Sequence, residues 1–162
     1  MYNAIGLMSG TSMDGIDIAL IKSDGRHRLE PGPSSCFQYS KALREELTAA
    51  MTACRRMSVD ELKIQAFDRL SRDLTRLHAE AVQAFLAEND LAANDIDVVG
   101  FHGQTLVHRP DEGYTLQIGD GEALSGILKT SVVHDFRTKD VSTGGQGAPL
   151  VPIFHDALVS YL

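Results

Sequence analysis

AIGLMSGTSMDGIDIALI, residues 4–21, decides how the rest of this chain is read, because its pattern is strand, small polar turn, strand. Ile5 and Leu7 open one apolar run, and Ile16, Ile18, Ala19, Leu20 and Ile21 form a second. Between them stand Ser9, Gly10, Thr11, Ser12, Met13, Asp14 and Gly15. Gly10 and Gly15 permit left-handed backbone and close approach of another group, so successive N–H groups of the turn can point into one concavity that suits an anion. Ser9, Thr11 and Ser12 add hydroxyl donors. The carboxylates of Asp14 and Asp17 would repel a bare phosphate and suit a hydrated magnesium ion beside it, so the combination points to a metal-bound nucleotide. The same residue types also build ordinary hairpin turns, and composition alone leaves both readings open. A Walker loop is excluded, since GxxxxGKS or GxxxxGKT is absent and the turn holds no lysine.

With 162 residues, 43% hydrophobic and 23% charged, the chain can bury one respectable core, and one domain over 1–162 is the natural count. A net charge of -7 without a basic stripe argues against nucleic acid as a partner, so any anion site must be local. Cys36 and Cys54 lack metal-ligand or disulfide spacing and are expected to be reduced, buried thiols. The opening MYNAIGLM has no basic leader and no apolar run approaches the ~20 residues of a membrane span, so no membrane partner and a cytoplasmic location are expected.

Beyond the hairpin, Asp24-Gly25 signals a tight turn. Residues 26–30 are predicted as a short exposed strand, and SCFQY, 35–39, as a third strand beyond Pro31-Gly32-Pro33. Ser40 is placed to cap a helix over 41–55 with Leu43, Leu47, Met51 and Cys54 on one face. The capping-box signature at Ser58 and Glu61 starts a stripe of Leu62, Ala66, Leu70, Leu74, Leu77, Ala81 and Phe85, predicting one long amphipathic helix with His78 at its surface or edge. Ile96, Val98, Val99 and Phe101 make a short buried strand. Ligands of open α/β sheets collect beyond the carboxyl ends of strands, so His102, Gly103, Gln104 and Thr105 are candidates for binding sugar hydroxyls and amides. A further strand is predicted at Tyr114–Ile118, a helix over 122–129 and a strand from Val132. His134, Asp135, Arg137 and Asp140 stand at or past the end of that strand, before the glycine-rich GGQGAP, 144–149. Arg137 would suit a carboxylate or phosphoryl group, unless Asp135 merely holds it in a His-Asp-Arg ion cluster. A last helix begins at Pro152, and its end, with Val159, Tyr161 and Leu162, favours self-association, making a homodimer an expected arrangement.

Three stretches resemble one family in the same order: GLMSGTSMDGIDIALI at 6–21, GFHGQTLVHRP at 100–110 and VVHDFRTKDVSTGGQGAPLVPIFHDAL at 132–158. They are similar to anhydro-N-acetylmuramic acid kinases of the sugar kinase and actin superfamily. The resemblance implies an α/β fold, an actin-like (ribonuclease H-like) ATPase domain with a mixed sheet and flanking helices, of which this chain is the N-terminal portion. It implies ATP and Mg2+ as cofactors and 1,6-anhydro-N-acetylmuramic acid as substrate. Gly10, Thr11, Ser12, Met13, Asp14, Gly15, Ile16 and Asp17 would hold the ATP phosphates, with Asp14 and Asp17 facing the metal through water. His102, Gln104, Thr105 and Arg137 would line the sugar. It places the catalytic base, the adenosine pocket and a second domain beyond residue 162. A non-catalytic sugar- or nucleotide-binding module is the alternative from another class.

Overall fold

The structure, a computed structural model, describes residues 1–10 and 12–161. The hairpin forms as its pattern predicts, from β1 (Tyr2–Met8) and β2 (Gly15–Ser23), antiparallel with Leu7 opposite Ile18 and Met8 opposite Asp17. β3 (Leu29–Gln38) pairs antiparallel with β2 and is the edge of the sheet. Here the sequence reading is corrected, because Pro31-Gly32-Pro33 lies inside one continuous strand. An edge strand tolerates proline, since its outward N–H groups need no partner. A bulge absorbs the rest: the register passes from Ala19 opposite Ser34 to Ile21 opposite Pro31, leaving Leu20 against Gly32 and Pro33. A Cβ at Gly32 would lie 2.8 Å from the Leu20 carbonyl oxygen, so only glycine fits there. At the β2–β3 turn the Asp24 carboxylate accepts the N–H groups of Arg26, His27 and Arg28, which pulls its pKa down to about 2.

Three helices then carry the chain across one face of the sheet. α1 (Lys41–Cys54) starts at Ser40, whose hydroxyl accepts the Leu43 N–H, and buries Leu43, Leu47 and Cys54. α2 (Val59–Ile64) opens with the capping box expected of Ser58 and Glu61. The single long helix does not form: Gln65 is extended (φ −72°, ψ 125°), and the chain restarts as α3 (Asp68–Glu88). Ala66, expected in the apolar stripe, is exposed, while its neighbour Phe67 packs against the core.

β4 (Val98–Phe101) returns parallel to β1, and after the antiparallel hairpin β5 (Gln104–Arg109) and β6 (Tyr114–Ile118) and the helix α4 (Gly121–Leu128), β7 (Ser131–His134) lies parallel to β4. The order is β3-β2-β1-β4-β7 in a mixed five-stranded sheet. α5 (Thr138–Ser142), which the sequence reading missed, and α6 (Pro152–Tyr161) complete the chain. Ile5, Leu7, Ile16, Ile18, Val99 and Phe101 face the helices and join Leu47, Leu74, Val82 and Phe85 in the core. The opposite face presents Gly6, Met8, Asp17, Ala19 and Cys36, over which Leu150, Val151 and Phe154 enclose an open groove of about 870 Å³. Cys36 is therefore exposed, contrary to expectation, and only Cys54 is buried. Among the described residues no helix is long and apolar enough to cross a membrane.

His78 is also corrected: it is buried in the core rather than at an edge. Its ring meets Phe101 edge-on at 4.9 Å, and its Nδ1 donates to the Leu74 carbonyl at 2.9 Å. Burial holds its pKa down to about 4, so the folded ring stays neutral where the unfolded one protonates. The stability that follows is complete above the unfolded pKa near 6.5 and is lost as pH falls from there to about 4, because in that window the unfolded state binds a proton that the native state does not. Between pH 7 and pH 4 the native protein should lose about 3 kcal/mol more in urea unfolding than His78→Gln, which has nothing to protonate there.

Candidate functional site

The topology sets the ends of β1, β4 and β7 side by side, where the chain leaves the parallel part of the sheet. From β1 the chain enters the turn at 9–14. Gly10 is half-buried, and its carbonyl accepts the Met13 N–H at 3.0 Å, closing the turn. Among the described residues of this turn the left-handed one is Met13 (φ 55°), whereas neither Gly10 nor Gly15 has a positive φ. Gly15 serves close approach instead. A Cβ there would stand 2.3 Å from the Phe37 carbonyl oxygen of β3, so glycine is needed to let the edge strand pair with β2.

The remaining turn residues diverge. Ser12 and Asp14 are exposed, and Asp14 makes a surface ion pair with Arg44 of α1 at 3.6 Å. Ile16 points into the core, so its side chain cannot touch a ligand on the turn and only its backbone is left for that role. Asp17 stands exposed on the open face, opposite Cys36 in the register, and its carboxylate raises the Cys36 thiol pKa through a side-chain hydrogen bond. Thr11 lies outside the described residues. Among the described residues, no group of three or more His, Cys, Asp or Glu side chains is gathered as a metal site.

From β4 the chain passes through His102 and Gly103 into β5. Gly103 is left-handed (φ 70°), and a Cβ on it would meet the Ile118 carbonyl oxygen at 2.5 Å. Three hydrogen bonds join this connection to the turn. The Ser9 N–H donates to His102 Nε2 at 3.3 Å, the Ser9 hydroxyl to the Gly103 carbonyl at 3.0 Å, and the Gln104 amide to the Gly10 carbonyl at 3.2 Å. A backbone N–H is only a donor, so His102 Nε2 accepts and the neutral ring carries its proton on Nδ1. Burial, with the nearby Arg137 charge, lowers the His102 pKa and keeps that neutral form.

Beside His102, a cavity of about 220 Å³ opens between the ends of β4, β6 and β7, lined by His102, Gln117, His134, Asp135 and Thr138 among others. Asp135 holds a left-handed backbone (φ 56°), uncommon for a residue with a side chain. Of the predicted sugar-side residues, His102 lines this cavity and Arg137 lies near it, but Gln104 and Thr105 do not. Gln104 is 0% exposed beneath the turn, and Thr105 faces the β5–β6 hairpin, where its hydroxyl accepts from Gln117 at 3.3 Å. The His-Asp-Arg ion cluster does not form among the described residues. The Arg137 guanidinium donates to the Gly147 carbonyl, and Asp140 accepts the Gly147 N–H at 2.7 Å, so this pair braces the glycine-rich loop. Gln117 and Thr138 went unnoticed in the sequence, because only the pairing of β6 and the short helix α5 bring them to the strand ends.

A mixed sheet of this order, with an antiparallel meander, flanking helices and a polar cavity at the parallel strand ends, is the actin-like, ribonuclease H-like fold. The family model described as anhydro-N-acetylmuramic acid kinase matches residues 2–161, and the chain belongs to that family. It is 48% identical over 162 residues, its whole length, to the anhydro-N-acetylmuramic acid kinase of Rhodopseudomonas palustris strain HaA2. With the protein of the same name from Rhizobium etli it shares 52% identity over 155 residues, 96% of the chain. These matches span 44% and 42% of the two relatives, so the chain covers less than half the length of the curated relatives it matches.

Gly15→Ala should destabilise the fold by on the order of 1–3 kcal/mol, because the new methyl group must push β3 away from β2. Gly6→Ala, where nothing lies within 4 Å of the added atom, should cost much less. Thermal unfolding of the two variants checks the difference.

Proposed function

We propose that this chain is the phosphate-holding, sugar-lining part of a kinase that transfers the γ-phosphoryl group of ATP to 1,6-anhydro-N-acetylmuramic acid. Water adds as the anhydro bridge opens, and the freed oxygen takes the phosphoryl group, giving N-acetylmuramic acid 6-phosphate for peptidoglycan recycling. One observation carries this reading beyond the family match. The glycine turn and the polar cavity are bonded neighbours through Ser9 and His102, so phosphates on the first and a sugar in the second would lie side by side. Phosphoryl transfer depends mainly on such positioning and on electrostatic stabilisation. The runner-up, a binding module without catalysis, gains no specific support.

In this reading the backbone of 10–17 faces the nucleotide phosphates, His102 and Arg137 face the sugar, and His134 and Asp135 join them from the cavity wall. Magnesium keeps most of its waters and takes one or two carboxylates plus phosphate oxygens, which fits the exposed Asp17. Asp14, engaged by Arg44, would act through water. The ion would neutralise charge on the transferring group. The proposal includes a second domain beyond residue 162 that supplies the base and the adenosine pocket, a cytoplasmic location and a homodimer, which sedimentation of the two-domain enzyme tests.

Among the described residues, a Cβ at Gly10 would meet the Ser12 hydroxyl at 3.4 Å and the Ser12 backbone nitrogen at 3.9 Å, both ordinary contacts, so the fold tolerates a side chain there. Gly10→Val should therefore leave the protein folded while raising the KM for ATP at least tenfold, whereas Lys63→Ala, at an exposed position of α2, should change nothing. The measurement uses the two-domain enzyme, with the portion beyond residue 162 supplied by the Rhodopseudomonas palustris relative. An unchanged ATP KM in folded Gly10→Val would remove the phosphate assignment. The 162-residue chain alone, given ATP, magnesium and the anhydro sugar, should yield no phosphosugar. Robust turnover by it would move the catalytic base into this part. Arg137→Lys keeps the charge but loses the planar fork, and should lower kcat/KM for the sugar roughly tenfold or more.

A further inference from the structure

We propose that Gln104 is a positioning residue for the phosphate turn: its buried amide holds the Gly10 carbonyl from beneath and so fixes the turn that the Met13 N–H closes, without touching the sugar. This rests on the reading of the 10–17 turn as the phosphate site.

Gln104 is 0% exposed, yet its polar groups are poorly satisfied. Its Nε2 makes one hydrogen bond, to Gly10, and its Oε1 is buried without a partner among the described residues. A primary amide offers two donors and an acceptor with two lone pairs, and burying it with most of these unmet costs stability relative to an apolar side chain of the same size. Core stability therefore does not account for a glutamine at this position. The orientation of the amide follows from chemistry, because a carbonyl only accepts and the NH2 end must face Gly10.

The held carbonyl is also the one that closes the turn, by accepting the Met13 N–H at 3.0 Å. Tying that carbonyl from beneath therefore holds the closed form of the turn, on which the phosphate reading depends. The side chain comes from the first residue of β5, paired with Ile118 of β6, so the anchor is carried by regular structure rather than by a loop. Ser9 makes two separate bonds to His102 and Gly103, so the connection as a whole survives the loss of the amide and only the Gly10 carbonyl loses its hold.

The test is Gln104→Met, close in volume and without polar groups, in the two-domain enzyme described above. The expected result is an unfolding midpoint unchanged or raised, a KM for ATP raised tenfold or more, and an unchanged KM for the sugar. In the isolated chain, hydrogen exchange at the Met13 amide should accelerate tenfold or more, while Val99 in β4 keeps its protection. A selective rise in the sugar KM would make Gln104 a sugar contact and overturn the proposal, as would unchanged kinetics and exchange. A collapse in stability for both Gln104→Met and Gln104→Leu would make it a folding residue and equally overturn it. Gly10→Val separates the two levels. If it raises the ATP KM and Gln104→Met does not, the positioning role alone fails; if it too is silent, the phosphate site itself has been misassigned.

Discussion

β1 is paired on both sides, antiparallel to β2 and parallel to β4, with Leu7 between Ile18 and Phe101. That double pairing decides where everything else lies. Residues 93 positions apart, Ser9 and His102, leave adjacent strands at the same height and bond to each other. The candidate phosphate turn and the candidate sugar cavity are thus two products of one register. A one-residue slip would turn Ile5 and Leu7 out of the core. The apolar alternation that buries them therefore also fixes the spacing of the site.

The sheet is used asymmetrically. One face is sealed by α1, α3 and α4, and its interior holds His78 neutral and Cys54 out of water. The other carries small residues at Gly6, Ala19 and Gly100 and an exposed carboxylate at Asp17, beneath a loose apolar rim of Phe136, Leu150 and Phe154. The polar groups that tie the turn to β4 and β5 sit at the boundary between the two. Ser9 and Gln104 are among the few buried polar residues of the protein.

The glycines of this site have separate tasks. Gly15 and Gly103 make room for neighbouring carbonyls, Gly103 in a left-handed backbone, while among the described residues of the hairpin turn the left-handed step falls to Met13. Arg137 and Asp140 both brace the backbone of the glycine-rich loop at Gly147. Asp135 and His134 stand at the cavity wall.

The sequence by itself determined the hairpin of residues 4–21, the caps at Ser40 and Ser58, most strands, and the family, since these rest on local periodicity, on side chains reaching their own backbone, and on contiguous motifs. Only the tertiary structure decided that Pro31 to Pro33 continue an edge strand, because that depends on which side of β3 lacks a neighbour. It alone decided the break at Gln65, the burial of His78 against Phe101 and the exposure of Cys36. Helical or strand period states which residues share a face, but not which face another element will cover. Gln104 shows the same division. Its place after a strand marked it as part of a site, but whether its amide met a ligand or the Gly10 carbonyl depended on a hydrogen bond between residues 94 positions apart, which no local pattern encodes.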